Sequence, residues 1–456
     1  MATEGALMAQ APEQSSPRVL VVGLGKTGLS CARYLSARGV NVAVVDSREQ
    51  PPALSVLRDE LPDVAVFTGG FEARVFEYAD ELVVSPGVSL REPAVADAVA
   101  RGVPVAGDIE LFAREATAPV IAVTGSNGKS TVTSLVGEMA RAAGRDVRVG
   151  GNLGTPALEL LRQTEPDLYV LELSSFQLET TASLNAVAAV VLNVSADHLD
   201  RYAALEEYAA AKARVFRGSG VQVLNRDDAR VMAMAQPGRT AVSFGLARPQ
   251  RATDYGLIEE GGETWLARGG EALMPETALR MPGRHNVANA LAALALGEAA
   301  GFARDAMLDT LAQFPGLAHR TQWVGEGGGV TWYNDSKGTN VGATVAAVVG
   351  MAGPVVLIAG GDGKGADFSP LRPVLIAKGR AAVLIGRDGP RIAEVLEGAL
   401  PLVYAQDMDD AVAQAAQLAR PGDTVLLSPA CASFDMFRNY EERGDVFTQA
   451  VQRRLP

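Results

Sequence analysis

A lysine, a serine and a threonine follow directly on a glycine turn at Thr124-Gly125-Ser126-Asn127-Gly128-Lys129-Ser130-Thr131. The apolar, β-branched run Val120–Val123 before the turn reads as a buried strand, and Lys129 to Met139 reads as a helix. Strand, glycine turn and helix start make a phosphate cradle. Glycines let the backbone wrap an anion, and the free N–H groups of the first helical turn point at it. Lys129 adds a positive charge for β- and γ-phosphates, and the Ser130 hydroxyl can reach Mg²⁺. The common loop places a glycine five residues before Gly128, where this chain has Val123, so the loop is a compact variant. A plain glycine turn with a helix-capping serine is the competing explanation.

Other groups with chemical potential stand at the ends of strand-like runs. Gly23-Leu24-Gly25-Lys26-Thr27-Gly28 lies between the strand Arg18–Val22 and a helix to Ala37, and Asp46 ends the next strand. This is the dinucleotide fingerprint, which by itself suggests a nicotinamide oxidoreductase. Its physics asks only for a diphosphate on a helix N-terminus, and a UDP-sugar offers the same group. Leu82 to Gly87 gives a further strand and a Ser85-Pro86-Gly87 turn able to close over that diphosphate. Glu172 falls at the carboxyl end of the strand Leu168–Leu173, where α/β sheets collect ligands, and is a candidate Mg²⁺ ligand; a solvent-facing acid is the alternative. His198 follows the strand Val187–Val194. Lys212, on the helical stretch Tyr208–Phe216, reads from composition as a solvated surface lysine. Asn286 and Asn289 share one face of a helix running to Ala300 and could meet a purine edge, with helix capping by Asn286 as the competing explanation. Beyond Arg320 each strand again feeds a turn rich in Gly, Asp, Lys or Ser.

The elements that must position these groups are alternating strands and helices. At 456 residues the chain is too long for one core, so two or three domains are expected. Aromatics at 5% and 48 glycines suit α/β domains with many tight turns. A net charge of −12 argues against nucleic acid or an anionic membrane as partner, though not against a small anion held by local lysines and backbone dipoles. Cys31 and Cys431 fall in separate expected domains, which points to a reduced, cytoplasmic protein without disulfides. Residues 1–16 read as a disordered tail and not a signal peptide, and no apolar run approaches the roughly 20 residues of a membrane span.

From about Arg18 to its end the chain resembles the Mur ligases, ATP-dependent amide-forming enzymes of peptidoglycan precursor synthesis. TGSNGKST belongs to the wider superfamily, which includes folylpolyglutamate synthases. LELSSFQLE (171–179), DHLDRY (197–202), NDSKGTN (334–340) and SPACASFDMFRNYEERG (428–444) are together similar to the branch that adds D-glutamate to UDP-N-acetylmuramoyl-L-alanine. The resemblance implies an α/β fold of three domains. These are a UDP-binding Rossmann-like domain at 17–107, a P-loop ATPase-like domain at 108–316 and a Rossmann-like, D-glutamate-binding domain at 317–456.

It also implies roles. Gly25, Lys26, Thr27, Asp46, Ser47, Arg48, Ser85 and Gly87 would hold the uridine and diphosphate. Gly125, Ser126, Asn127, Gly128, Lys129, Ser130 and Thr131 would bind ATP, with Asn286 and Asn289 on adenine and Arg320 and Asp335 on the γ-phosphate and ribose side. Asn152 would lie near the reacting phosphate. Ser130 and Glu172 would ligate one Mg²⁺; His198 and Lys212 would serve a second, the lysine after carbamylation by CO₂. Here the resemblance replaces the surface-lysine reading. Thr339, Lys364, Ser433 and Tyr440, where some relatives carry Phe, would receive D-glutamate. The expected partners are these small molecules alone, the expected state is a monomer, and a related Mur ligase or a folylpolyglutamate-type ligase with a different amino-acid acceptor is the alternative.

Overall fold

The structure, a computed structural model, describes residues 17–162, 164–195, 201–281 and 283–455. The chain divides into two units: Met1–Val120, Arg148–Ala186 and His198–Ser219 form the first, and Ile121–Val147, Val187–Asp197 and Gly220–Pro456 the second.

In the first unit, β1 (Arg18–Val22), β2 (Asn41–Asp46), β3 (Ala65–Thr68), β4 (Glu81–Val84) and β5 (Val105–Ala106) make a parallel sheet in the order β3-β2-β1-β4-β5. Branched residues on β1, β2 and β4 (Val22, Val45, Leu82, Val84) bury one face with Phe76, Val95 and Ala98. The strand order reverses between β1 and β4, so a crevice opens beyond their carboxyl ends, where Gly23 and Ser85 follow.

Next come β6 (Val120–Thr124), β7 (Val147–Gly151), β8 (Leu168–Glu172), β9 (Ala188–Val191) and β10 (Val221–Asn225), then β11 (Ala241–Phe244), β12 (Tyr255–Glu260), β13 (Glu263–Arg268) and β14 (Glu271–Pro275). Within the first unit β8 neighbours β7; within the second the order is β14-β13-β12-β11-β10-β9-β6. β6, β9, β10 and β11 are parallel, whereas β12, β13 and β14 are antiparallel hairpins turning at Gly261-Gly262 and Gly269-Gly270. The sequence reading did not distinguish these hairpins from the surrounding alternation.

The last region carries β15 (Gln322–Gly327), β16 (Val330–Asn334), β17 (Val355–Gly360), β18 (Gly379–Ile385), β19 (Leu402–Tyr404) and β20 (Thr424–Leu427), ordered β15-β16-β20-β17-β18-β19. β15 is antiparallel and the others parallel, with apolar cores on both faces as a doubly wound sheet requires.

Two boundaries differ from the sequence reading for local reasons. The apolar run expected as a strand to Val194 leaves the ladder after Val191, because Asn193 and Ser195 bond the glycine loop instead. The stretch expected as helix over 208–216 runs Leu205–Ala213 and tightens to a 3₁₀ turn at Arg214–Phe216.

Candidate active site

The second unit assembles a phosphate-loop cavity. β6 ends at Thr124, the loop turns through Gly125 (φ +150°) and Gly128 (φ +85°), and the helix Lys129–Ala142 starts. A Cβ on Gly128 would sit 2.4 Å from Asn289 Oδ1, so only glycine lets the loop lie against that asparagine. The Asn127 N–H donates to Asn193 Oδ1 (2.8 Å), and Ser126 Oγ accepts from the Ser195 N–H (3.0 Å). Lys129 Nζ donates to the carbonyls of Gly125 and Ser126, both 2.9 Å away. Asn127, Gly128 and Thr131 share one cavity with Asn286, Asn289, Arg320 and Asp335.

Asn286 and Asn289 stand on the inner face of the helix Arg284–Ala299, their amides linked by an Asn289 Nδ2 to Asn286 Oδ1 bond of 3.2 Å. The residue at the cap is Gly283, which makes the capping explanation of Asn286 incorrect.

Arg320 Nη2 donates to Ser130 Oγ at 2.9 Å across 190 residues of sequence. Its turn is strained, since His319 (φ +61°) and Thr321 (φ +48°) both adopt left-handed backbone, and for a β-branched threonine that is an outlier. Asp335 holds the turn: its Oδ1 accepts the Thr321 N–H at 3.0 Å, and its Oδ2 accepts from Ser428 Oγ at 2.7 Å. Burial pushes the Asp335 carboxyl up to about 6, opposed by those bonds and by the Arg320 charge. Asp335 is therefore a brace for Arg320 as well as part of the cavity wall.

Of the four residues expected at the amino-acid end, Thr339, Lys364 and Ser433 lie on turns after β16, β17 and β20, and Tyr440 opens the helix Tyr440–Gln452. Thr339 is half-buried, Lys364 is exposed in a left-handed turn (φ +50°), Ser433 is buried and Tyr440 is half-buried. Backbone bonds between Asp362 and Ala432 tie the Lys364 and Ser433 turns together. Ser336 Oγ donates to the Tyr440 carbonyl at 2.7 Å, and Lys337 Nζ stands 3.6 Å from the centre of the Tyr440 ring. Buried Arg443 donates to the carbonyls of Ser336 (2.8 Å) and Cys431 (3.1 Å), and burial pulls its pKa down to about 10.

In the first unit a second cavity is lined by Gly25, Lys26, Thr27, Asp46, Ser47, Arg48, Ser85, Gly87 and Asn152, all residues the sequence singled out. The glycine fingerprint is a packing requirement, because a Cβ on Gly28 would meet the Gly23 carbonyl at 1.9 Å. Asp46 is buried, and its carboxylate accepts the Leu24 N–H (2.7 Å) and a two-pronged Arg48 guanidinium (2.8 and 2.6 Å). Burial works against the charge, but Arg48 and those backbone bonds win and hold the carboxyl below its usual range. Asp46 therefore shapes the loop and aims Arg48. Lys26 Nζ donates to the Gly154 carbonyl at 2.5 Å.

Also in the first unit, Glu172 is buried at the end of β8, and its Oε1 accepts from Asn152 Nδ2 at 2.7 Å. Its Oε2 is buried without a hydrogen-bond partner among the described residues, the chemistry of an acid awaiting a cation. Lys212 is 1% exposed, which overturns the solvated reading. Its helix packs onto Ser175–Glu179 and turns Tyr208, Ala211 and Lys212 inward. His198 lies outside the described residues.

Sequence reasoning missed Asn193, Ser195 and Lys337 beside the phosphate loop and Gln177 on the wall of the second cavity. Their signal was adjacency to quoted motifs, since Gln177 sits within LELSSFQLE and Lys337 within NDSKGTN.

Three family models match the chain in succession. They are "Mur ligase MurD-like, N-terminal domain" at residues 17–107, "Mur ligase middle domain" at 123–297 and "Mur ligase, glutamate ligase domain" at 319–431. The chain is 59% identical over 438 residues to the UDP-N-acetylmuramoylalanine–D-glutamate ligase of Nitrosococcus oceani, covering 96% of each protein. It is 56% identical over 462 residues to that of Thiobacillus denitrificans, covering 96% of this chain and 97% of the relative. Among solved structures, a MurF ligase from Thermotoga maritima in complex with ADP superposes with a TM-score of 0.61 at 17% identity, covering 96% of both chains. That last likeness concerns the fold alone.

Proposed function

The chain belongs to the Mur ligase family, and on that premise we propose that it joins D-glutamate to UDP-N-acetylmuramoyl-L-alanine, with ATP cleaved to ADP and phosphate. The observation that carries the ATP part is the Arg320 guanidinium bonded to Ser130 of the phosphate loop. It brings a second fixed cation to the loop where Lys129 starts the helix.

A free carboxylate is a poor electrophile. In this reading the L-alanyl carboxylate attacks the γ-phosphorus, and the bond to the β-phosphate oxygen breaks to give an acyl phosphate and ADP. The amine of D-glutamate then attacks the acyl carbon, loses a proton, and phosphate leaves from the tetrahedral intermediate. The first step brings two anions together, which is why Lys129, Arg320 and the loop N–H groups are needed. Asn286 and Asn289 would hold adenine, and Asp335 keeps Arg320 in its strained turn. Lys26, Thr27, Ser47, Arg48, Ser85 and Gly87 would grip the sugar nucleotide, while Thr339, Lys364, Ser433 and Tyr440 receive D-glutamate. Magnesium, when bound, neutralises phosphate oxygens. The orphaned Glu172 Oε2 of the first unit fits such an ion, and the Ser130 hydroxyl of the second unit is a candidate ligand in its own loop; His198 and carbamylated Lys212 would hold a further ion. Domains at 17–107, 108–316 and 317–456, acting as a cytoplasmic monomer, complete the reading.

Phosphate release with ATP, Mg²⁺ and UDP-N-acetylmuramoyl-L-alanine tests it. Release that depends on D-glutamate and not on L-glutamate or other amino acids is expected, and release indifferent to the acceptor would overturn the assignment.

A further inference from the structure

Behind the Ser85-Pro86-Gly87 turn a line of stacked side chains crosses the first unit. Arg201 Nη1 donates to the Gly87 carbonyl at 3.3 Å and its Nη2 to the Val88 carbonyl at 3.2 Å. Its guanidinium carbon lies 4.4 Å from the centre of the Phe176 ring. Phe176 stacks on Tyr202 with centroids 5.8 Å apart and planes 6° from parallel. Tyr202 meets Tyr208 at 5.2 Å, and Lys212 Nζ stands 4.3 Å from the centre of the Tyr208 ring. Tyr202, Tyr208 and Lys212 are buried, so these contacts are made away from water, where a cation over a ring is strongest. An exposed Arg91–Glu207 pair at 2.9 Å runs alongside.

The two ends of this line matter. Gly87 and Val88 line the cavity with Lys26 and Arg48, and Ser85 Oγ donates to the Gly23 carbonyl at 2.8 Å, so the turn is fixed to the glycine loop on one side. On the other side only Arg201 reaches its last two carbonyls among the described residues.

We propose that Arg201 is a positioning residue that ties the turn closing the sugar-diphosphate cavity to the helix carrying Lys212, through the Phe176, Tyr202 and Tyr208 rings. Filling the cavity then stiffens the Lys212 helix, and loosening that helix weakens the cavity's closing turn. The inference rests on the functional reading above for its substrate.

Steady-state kinetics of Arg201→Met and Arg201→Lys test it, beside hydrogen exchange on the substrate-free protein. Arg201→Met is expected to raise KM for UDP-N-acetylmuramoyl-L-alanine about tenfold and lower kcat several-fold, with KM for ATP within about twofold. Arg201→Lys, which keeps a cation over Phe176, should recover most of that loss. Without substrates, Arg201→Met should speed amide exchange at 85–88 and at 205–213 together. If Arg201→Met does not fold, Tyr202→Leu removes the middle ring and should speed exchange at 205–213 and, to a smaller extent, at 85–88. Equal changes in KM for both nucleotides, no recovery by lysine, or faster exchange at 85–88 alone would each overturn the proposal. If wild-type protein shows no D-glutamate-dependent phosphate release, the functional reading fails, yet the exchange experiment still judges the coupling.

Discussion

Two glycine loops in this chain look alike in outline and differ in what surrounds them. Gly23–Gly28 and Gly125–Thr131 each follow a buried strand, open a helix and place a lysine at its first residue. Around the first loop the neighbours act as braces. Asp46 is spent on the Leu24 N–H and Arg48, and Ser85 closes on the Gly23 carbonyl. Around the second, Ser130 bonds Arg320, and Arg320 sits in a turn strained at both flanking residues. The backbone physics of anion binding is the same in both. What separates the two loops is the fixed charge that distant sequence brings: Arg320 bonds the second loop itself, whereas Arg48 near the first is held by Asp46.

The largest effect should fall on Lys129, and its counterpart Lys26 sets the contrast. Lys129→Ala is expected to lower kcat for phosphate release by about a thousandfold or more with the thermal transition intact, whereas Lys26→Ala raises KM for the sugar nucleotide about tenfold and spares kcat. Comparable kcat losses in both variants would erase the distinction. Next, Arg320→Met should cost about a hundredfold in kcat, and Asp335→Asn should reproduce part of that loss by releasing the turn; single-turnover phosphate transfer reads both.

Asp46→Ala should act mainly on folding, costing about 2–3 kcal/mol because Arg48 and the Leu24 N–H lose their acceptor. Urea unfolding measures this, and a catalytic defect without a stability loss would show that Asp46 touches substrate instead. The smallest effect is a pH slope. Asp108 is fully buried, and burial pushes its carboxyl up to about 6, with a Gln177 hydrogen bond opposing. A raised acid pKa means the native state keeps its proton where the unfolded chain has lost it, so this group's contribution falls as pH rises from about 4 to about 6. Wild type should therefore lose up to about 2 kcal/mol relative to Asp108→Asn across that window, measured by denaturant titrations at its two ends.

Much of the fold could be read in advance where backbone and side chain agreed. The branched runs 19–22, 120–123 and 355–359 are strands because both sheet faces are covered, and Gly23, Gly125 and Gly360 mark their ends because a Cβ at each would crowd its neighbours. The hairpins over 255–275 were not legible, since Tyr255–Ile258 is a buried run like those of the parallel strands. Candidate site residues were legible where they stood in motifs, and their duties were not. Asp46 and Asp335 were read as ligand contacts from their motifs, and the structure adds a duty those motifs did not show, since each holds a neighbouring arginine or its turn.

The sequence by itself determined that two strand-to-helix loops could each hold phosphate, that acids and amides stand at strand ends, and which family's motifs they compose. Local chemistry suffices for this, because glycine, lysine and helix polarity act within a few residues. Only the tertiary structure decided that Arg320 meets its loop at the Ser130 hydroxyl, why Lys212 is buried, and that Asn289 seals Gly128. Those outcomes depend on groups tens to hundreds of residues apart meeting in space. Such meetings are set by sheet order and packing, which no local spacing encodes.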